Sequence, residues 1–213
     1  MKHYNKISQI AIKGLAQVSC VLSLLLIQNA ALAQTAQGDP VAFVKATAED
    51  LLATIKTDKA VMAGDPQRIN ALVNEKILPN VNLAKMTQSA VGRSWSKATP
   101  EEQAALQKEF RILLQRTYGG ALSLAKDATL KMGRSNIKPE SIDALVRTSV
   151  IAKGEPINVD YRLEKISGAW KVYDLNVAGS WLVQNYRGVF AKEIETNGIA
   201  GLIQFLKTRN GSK

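Results

Sequence analysis

The sequence predicts an α+β domain in which helices cover one face of a curved antiparallel sheet. Three observations carry the prediction. Apolar residues recur with a period near 3.6 from about residue 39 to residue 125, the period changes to 2 from Ala128 onward, and it returns to 3.6 after Ser180. The second change falls within one stretch, Val172 to Phe190, reading VYDLNVAGSWLVQNYRGVF. Tyr173, Leu175 and Val177 alternate with Val172, Asp174 and Asn176 as in a strand, and Ala178-Gly179-Ser180 marks a turn. Leu182, Val183, Tyr186, Val189, Phe190 and Ile194 then fall on one helical stripe. A strand that feeds straight into a helix brings that helix back against the sheet, so any enclosed space is expected near this joint.

The first 33 residues read as an export leader. Lys2, Lys6 and Lys13, with no acidic residue, form a basic start; Leu15 to Ile27 is an apolar run; and Ala31-Leu32-Ala33 is a small-x-small cleavage signal before Gln34. The run is shorter than the ~20 apolar residues of a spanning helix. Gln17-Val18-Ser19 before Cys20 is a poor lipoprotein signal, and no later segment is apolar enough to span a bilayer. The expected product is an exported protein, periplasmic in a Gram-negative cell. Its leader carries the only histidine, His3, and the only cysteine, Cys20. A mature chain from Gln34 to Lys213 therefore has no His-dependent nucleophile, no usual zinc or transition-metal site and no disulfide. Paired carboxylates, a lysine or a tyrosine with a carboxylate are the catalytic options left, and the expectation is a non-enzyme with no catalytic residue, metal or cofactor. Without the three leader lysines the chain keeps 25 basic against 18 acidic side chains, a net charge of +7.

The mature part reads as one domain, helical over about 39–125 and sheet plus C-terminal helices over about 128–207. Asp39-Pro40 opens a helix, with an aspartate cap and proline where its missing N–H costs nothing. Val44, Thr47, Ala48, Leu51, Leu52 and Ile55 form its stripe, which ends near Gly64. Asp65-Pro66 repeats the signal for a second helix through Ile69, Leu72, Val73 and Ile77, broken by Pro79; Leu83 to Val91 is a third, weaker one. After the Gly92–Ala98 connection, Thr99-Pro100-Glu101-Glu102 is a capping box for a helix to about Ala125. Gly119-Gly120 inside it costs roughly 1 kcal/mol per glycine relative to alanine, which predicts close packing, a bend or a bound ligand at that point.

Ala128–Arg134, Asp143–Lys153, Ile157–Ile166 and Trp170–Ala178 read as four strands joined by turns too short for parallel crossovers. In the third, Ile157, Val159, Tyr161 and Leu163 point one way and Asn158, Asp160, Arg162 and Glu164 the other, so one face is expected to be apolar and covered and the other wet. Asn197-Gly198 is a helix stop, and Ile199, Leu202, Ile203 and Leu206 form a last short helix.

Two long motifs and a shorter closing one carry a family resemblance. GRSWSKATPEEQAALQKEFRILLQRTYGGAL (Gly92 to Leu122) resembles the G-x-x-W-x-x-A-T-P-E-Q…F-x-x-L-L-x-x-T-Y stretch of the MlaC, or toluene-tolerance, family. YDLNVAGSWLVQNYRGVF resembles its Y-D-V-x-x-E-G-V-S-L-V-x-N-Y-R-x-x-F, and Asn197-Gly198 with Leu202-Ile203-Gln204-Phe205-Leu206 its closing N-G…L-I-x-x-L. The chain departs at Ala178-Gly179-Ser180-Trp181-Leu182, where alanine replaces the family's glutamate and tryptophan a smaller residue. The resemblance implies a periplasmic phospholipid carrier working between an outer-membrane lipoprotein–porin complex and an inner-membrane ABC transporter, maintaining outer-membrane lipid asymmetry. It also implies acyl chains held as cargo in an apolar cavity between sheet and helices. A related branch carries hopanoids, so the lipid class stays open.

The physics of such a carrier is demanding. Two acyl chains hold roughly 30 CH₂ groups, whose exposure at ~0.8 kcal/mol each would cost more than 20 kcal/mol, so both tails must be hidden. Candidates for the helical side of the lining are Leu114, Tyr118, Leu122, Trp181, Leu182 and Tyr186. The sheet offers Val159, Tyr161, Leu163, Tyr173, Leu175 and Val177. Each reads equally as ordinary core. Arg93, Lys97 and Arg187 lie in the motif stretches as candidates for headgroup or partner contact. The surplus positive charge favours anionic headgroups and transient membrane proximity, while nucleic acid has the wrong compartment; the expected state is monomeric. Two other readings remain: an isomerase-like enzyme using Asp160, Asp174 or Glu164 with a tyrosine, and a periplasmic adaptor whose apolar stripes bind only proteins.

Overall fold

The computed structural model describes residues 38–152 and 154–211; the predicted leader, with His3 and Cys20, lies outside them. The capping residues act where the sequence places them. Asp39 accepts from Val41 N at 2.9 Å to start α1 (Pro40–Thr57), and Asp65 accepts from Arg68 N at 2.7 Å to start α3 (Pro66–Leu72). The predicted single helix to Gly64 is interrupted at Asp58, whose carboxylate caps a separate turn, α2 (Lys59–Met62), and pairs with Arg68 Nε at 2.6 Å. The chain continues from α3 through a π-turn at Val73–Ile77 and a 3₁₀ turn at Leu78–Asn80 to α4 (Leu83–Val91).

A 3₁₀ turn at Gly92–Lys97 leads into α5 (Pro100–Tyr118), opened by a complete Thr99–Glu102 capping box. At Gly119 the helix tightens into a 3₁₀ segment, Gly119–Ala125. Packing is close at this point: a Cβ at Gly119 would lie 3.2 Å from Ile69 Cγ2, tighter than ordinary contact, so α3 sits hard against this glycine.

The sheet has five antiparallel strands in sequential order: β1 (Thr129–Met132), β2 (Asp143–Ala152), β3 (Glu155–Ile166), β4 (Ala169–Val177) and β5 (Ser180–Trp181). The sequence predicts four. Two-residue β5 is too short to show a period, and it forms because Ala178 (φ 52°) and Gly179 (φ 88°) make the tight hairpin turn that returns Ser180 to Val177. Within β4, Val172 also pairs in parallel with Val81, and Asn82 N donates to Val172 O at 2.8 Å.

A bulge opposite Arg162/Leu163 makes Tyr173 an extra residue in β4, since Leu163 pairs with Val172 and Arg162 with Asp174. Tyr173 therefore leaves the predicted alternation. Val172, not Tyr173, joins Tyr161, Leu163 and Leu175 in the apolar cluster on the inner face, together with Val44, Ala144, Val146 and Trp170. The outer face is not uniformly wet as predicted, because α4 reaches it through the Lys85–Glu164 pair and the next helix through Asp174.

That helix, α6 (Leu182–Gly211), starts immediately after β5 and runs to the end of the described chain, with a kink at Gly198 (φ 70°, ψ −173°). The predicted stop at Asn197-Gly198 is thus a kink between two helical halves. A second core forms where α4, α5 and α6 meet, with Phe110 edge-on to both Tyr186 (5.0 Å) and Phe190 (5.2 Å). A third, smaller core joins Ile55, Val61, Ile69 and Leu72.

Candidate functional site

Two regions are built by this arrangement, one apolar and one cationic. The apolar region is the inner face of the sheet. Tyr161 pairs across β2 with Val146 and across β4 with Leu175, while Val159 pairs with Thr148 and Val177. Leu163 is sealed in the core; Val159, Tyr161 and Leu175 are half-buried, and Val177, at the end of its strand, is 43% exposed. Burial pushes the Tyr161 phenol above its ordinary range, partly offset by Thr148. α1 packs on β1 and β2 and the start of α6 on β4, whereas α5 lies against α4 and α6 and has no comparable contact with any strand. Of these helices α1 reaches the inner face, through Val44, while α6 meets β4 on the outer face, and the inner residues are incompletely covered.

The helix-borne candidates fall into two groups. Leu114, Leu182 and Tyr186 belong to the α4–α5–α6 core, and Leu122 joins the smaller core beside Ile55 and Ile69. Tyr118, although 41% exposed, has its hydroxyl desolvated and set against that of Tyr186, which pushes its pKa up to about 12. Predicted residues thus lie in three packed groups: Tyr161, Leu163 and Leu175 together, Leu114, Leu182 and Tyr186 together, and Leu122 apart. Tyr173 and Trp181 belong to the other region.

The cationic region is a cleft of about 580 Å³ where α4 and α6 cross the outer side of β3 and β4. Lys85, Gln88, Ser89, Gly92, Arg93, Arg162, Tyr173, Asp174, Val183, Gln184 and Arg187 line it. Asp174, 1% exposed, is its structural centre. Oδ1 accepts from Leu175 N at 2.9 Å and from Val183 N at 3.0 Å, and Oδ2 accepts from Arg162 Nη1 at 3.1 Å. A carboxylate from a strand thus satisfies an N–H of the first turn of α6 and locks the strand–helix joint. Burial raises the Asp174 pKa, while these three donors oppose the rise. Arg162 in turn lies 3.8 Å over the ring of Trp181, a cation–π stack. The tryptophan at the turn therefore fixes the plane of a guanidinium. Lys85 Nζ pairs with Glu164 at 3.0 Å and sits 5.3 Å from the Tyr173 ring; that bond to Glu164 raises the lysine's pKa.

A second recess of about 550 Å³ shares Gly92, Arg93 and Arg187 with the first and adds Ser94, Lys97 and Glu195. All three cations singled out in the sequence, Arg93, Lys97 and Arg187, are brought together here. Gly92, at φ 68°, is the hinge of this meeting: Arg187 lies across it, with Nε 3.5 Å from where a Cβ would stand. Lys85, Arg162 and the capping role of Asp174 are not legible in the sequence. A cap normally sits within three residues of the N–H it satisfies, and Asp174 precedes Val183 by nine positions across a hairpin.

For the enzyme reading, both oxygens of Asp174 are engaged structurally and Glu164 is held by Asn82 and Lys85. No helix among the described residues is long and apolar enough to cross a membrane.

Comparison with known proteins gives a consistent result. Residues 45–208 match the family described as MlaC protein. The chain is 29% identical over 161 residues to the toluene tolerance protein Ttg2D of Pseudomonas putida, covering 73% of each protein. It is 25% identical over 181 residues to the intermembrane phospholipid transport system binding protein MlaC of Haemophilus influenzae, covering 81% of this chain and 83% of that one. A solved structure of the phospholipid-binding protein from Ralstonia solanacearum, in complex with a phospholipid, superposes with a TM-score of 0.78 at 43% identity, over 81% of this chain and 97% of that one.

Proposed function

The chain belongs to the MlaC family, and from that premise we propose that it is a periplasmic phospholipid carrier. It receives lipid from one membrane-bound complex and delivers it to another, an outer-membrane lipoprotein–porin assembly and an inner-membrane ABC transporter, and so maintains outer-membrane lipid asymmetry. The observation that carries this reading is the solved relative: the same fold, at 43% identity, holds a phospholipid.

The physical arrangement supports it. Acyl chains need a dry surface, and Val159, Tyr161 and Leu175 present one on the sheet's inner face, half-buried and not sealed by α5. Val177, exposed at the strand end, extends that surface toward solvent, where a lipid would enter. Phospholipid is cargo in this account and not a cofactor. The basic leader with its small-x-small site fits export to the periplasm.

Transfer of a fluorescent phospholipid between two vesicle populations kept apart by a semipermeable barrier tests the role. The carrier reading expects the protein to accelerate transfer in proportion to its concentration. No acceleration, with no uptake of lipid from donor vesicles, contradicts it.

A further inference from the structure

We propose that the cationic cleft between α4, α6 and the outer side of β4 is a second binding site, specific for phosphate-class oxyanions and separate from the acyl-chain surface. Separation follows from register. Arg162 pairs with Asp174 across the sheet, one residue out of step with Tyr161–Leu175, so the two sets point to opposite faces. The cleft lies on the face opposite the proposed cargo.

Its chemistry is that of an anion receptor. Four cationic side chains, Lys85 (paired with Glu164), Arg93, Arg162 and Arg187, converge on one recess from four elements, α4, the Gly92–Lys97 turn, β3 and α6. The only carboxylate in its lining, Asp174, is already taken up by two backbone N–H groups and Arg162. Arg93 and Arg187 have no side-chain hydrogen bond or ion pair among the described residues, so two guanidinium forks are available. Guanidinium forks match phosphate oxygens two at a time, which a lysine ammonium does not.

Two of the three guanidinium groups, Arg187 and Arg162, are also pre-positioned. Arg187 rests across the bare backbone of Gly92, and Arg162 is held flat by Trp181 on one side and Asp174 on another. Less ordering is then needed on binding. Gln88, Ser89 and Gln184 add neutral hydrogen-bonding groups between the charges. In the adjoining recess, Lys97 adds a cation and Glu195 supplies the one further carboxylate. Phosphate in this chemistry has two sources, a phospholipid headgroup at a membrane surface or a soluble phosphate compound.

The test compares the purified protein with an Arg93→Gln, Arg187→Gln double variant and with a control, Lys56→Gln, Lys59→Gln, which removes the same charge from the exposed region around α1 and α2. Binding is measured to inorganic pyrophosphate by calorimetry and to vesicles of phosphatidylcholine with or without phosphatidylglycerol by co-sedimentation. The proposal expects the cleft variant to bind about tenfold more weakly than wild type and the control to be unchanged. Loss on both probes marks a site open to soluble phosphate; loss on anionic vesicles alone marks a headgroup site, and both uphold it. Equal losses in the two variants reduce the effect to general charge attraction and overturn it. So does the absence of any loss in the cleft variant. Extracted lipid is measured in parallel. Unchanged occupancy in the cleft variant keeps this site apart from cargo binding, whereas occupancy falling with anion affinity makes the cleft part of the cargo site and overturns the separation. A carrier that holds no lipid in any variant refutes the transport reading and leaves the anion result standing.

Discussion

Asp174 is the residue whose removal tests the architecture most severely. In Asp174→Ala the acceptor for Val183 N and Leu175 N disappears from a site 1% exposed. An unsatisfied buried N–H costs about 1–3 kcal/mol. The Arg162 pair adds little, at most about 1 kcal/mol, because the arginine is 45% exposed and screened by water. Against these losses stands the relief of burying a carboxylate, which already raises the Asp174 pKa. The net expectation is a destabilisation of about 3 kcal/mol. At about 2–4 °C per kcal/mol for a chain of this size, the thermal midpoint falls by about 6–12 °C. Asp174→Asn keeps one oxygen for the two N–H groups and is expected to cost about 1 kcal/mol. Urea and thermal unfolding of the three proteins, followed by far-UV circular dichroism, decide the matter. An alanine variant within about 0.5 kcal/mol of wild type refutes the account of the joint, as does an asparagine variant as unstable as alanine.

Two further predictions follow from the same geometry. Tyr161→Arg places a charge at the centre of the half-buried inner face, so lipid occupancy measured by extraction is expected to fall steeply while secretion persists; Val177→Arg has a milder effect, since its position lets the charge reach water. Equal occupancy in Tyr161→Arg and wild type contradicts the assignment of that face. Asp58 has its pKa lowered first by the Val61 N–H and then by Arg68. Its stabilising contribution is therefore complete above the ordinary value of 3.8 and is lost as pH drops through the depressed folded value. The stability gap between wild type and Asp58→Asn, followed by urea unfolding, should shrink with acidification; a gap that is flat or widens below pH 4 contradicts the cap.

The helices were legible because their signals are local. Asp39, Asp65 and the Thr99–Glu102 box each act within three residues, and the caps form as the sequence indicates. Where an element depends on a distant partner, the sequence is silent. Tyr173 looks like part of an alternating strand, and only the pairing of Leu163 with Val172 reveals it as the bulged residue. The same holds for the cleft. Arg93, Lys97 and Arg187 stand out through the motifs they sit in, but Lys85, Arg162 and Asp174 acquire their roles through contacts spanning 9 to 79 positions. Asp58 shows a third cause. Its context reads as helix interior, and its carboxylate instead caps the next turn and holds Arg68, which breaks the helix.

Native mass spectrometry of the purified protein, with the bound material extracted and identified, addresses the central claim directly. The carrier account predicts close to one phospholipid per protein, released on denaturation and replenished when the stripped protein meets vesicles. A protein that is lipid-free as isolated and takes up none from vesicles contradicts it.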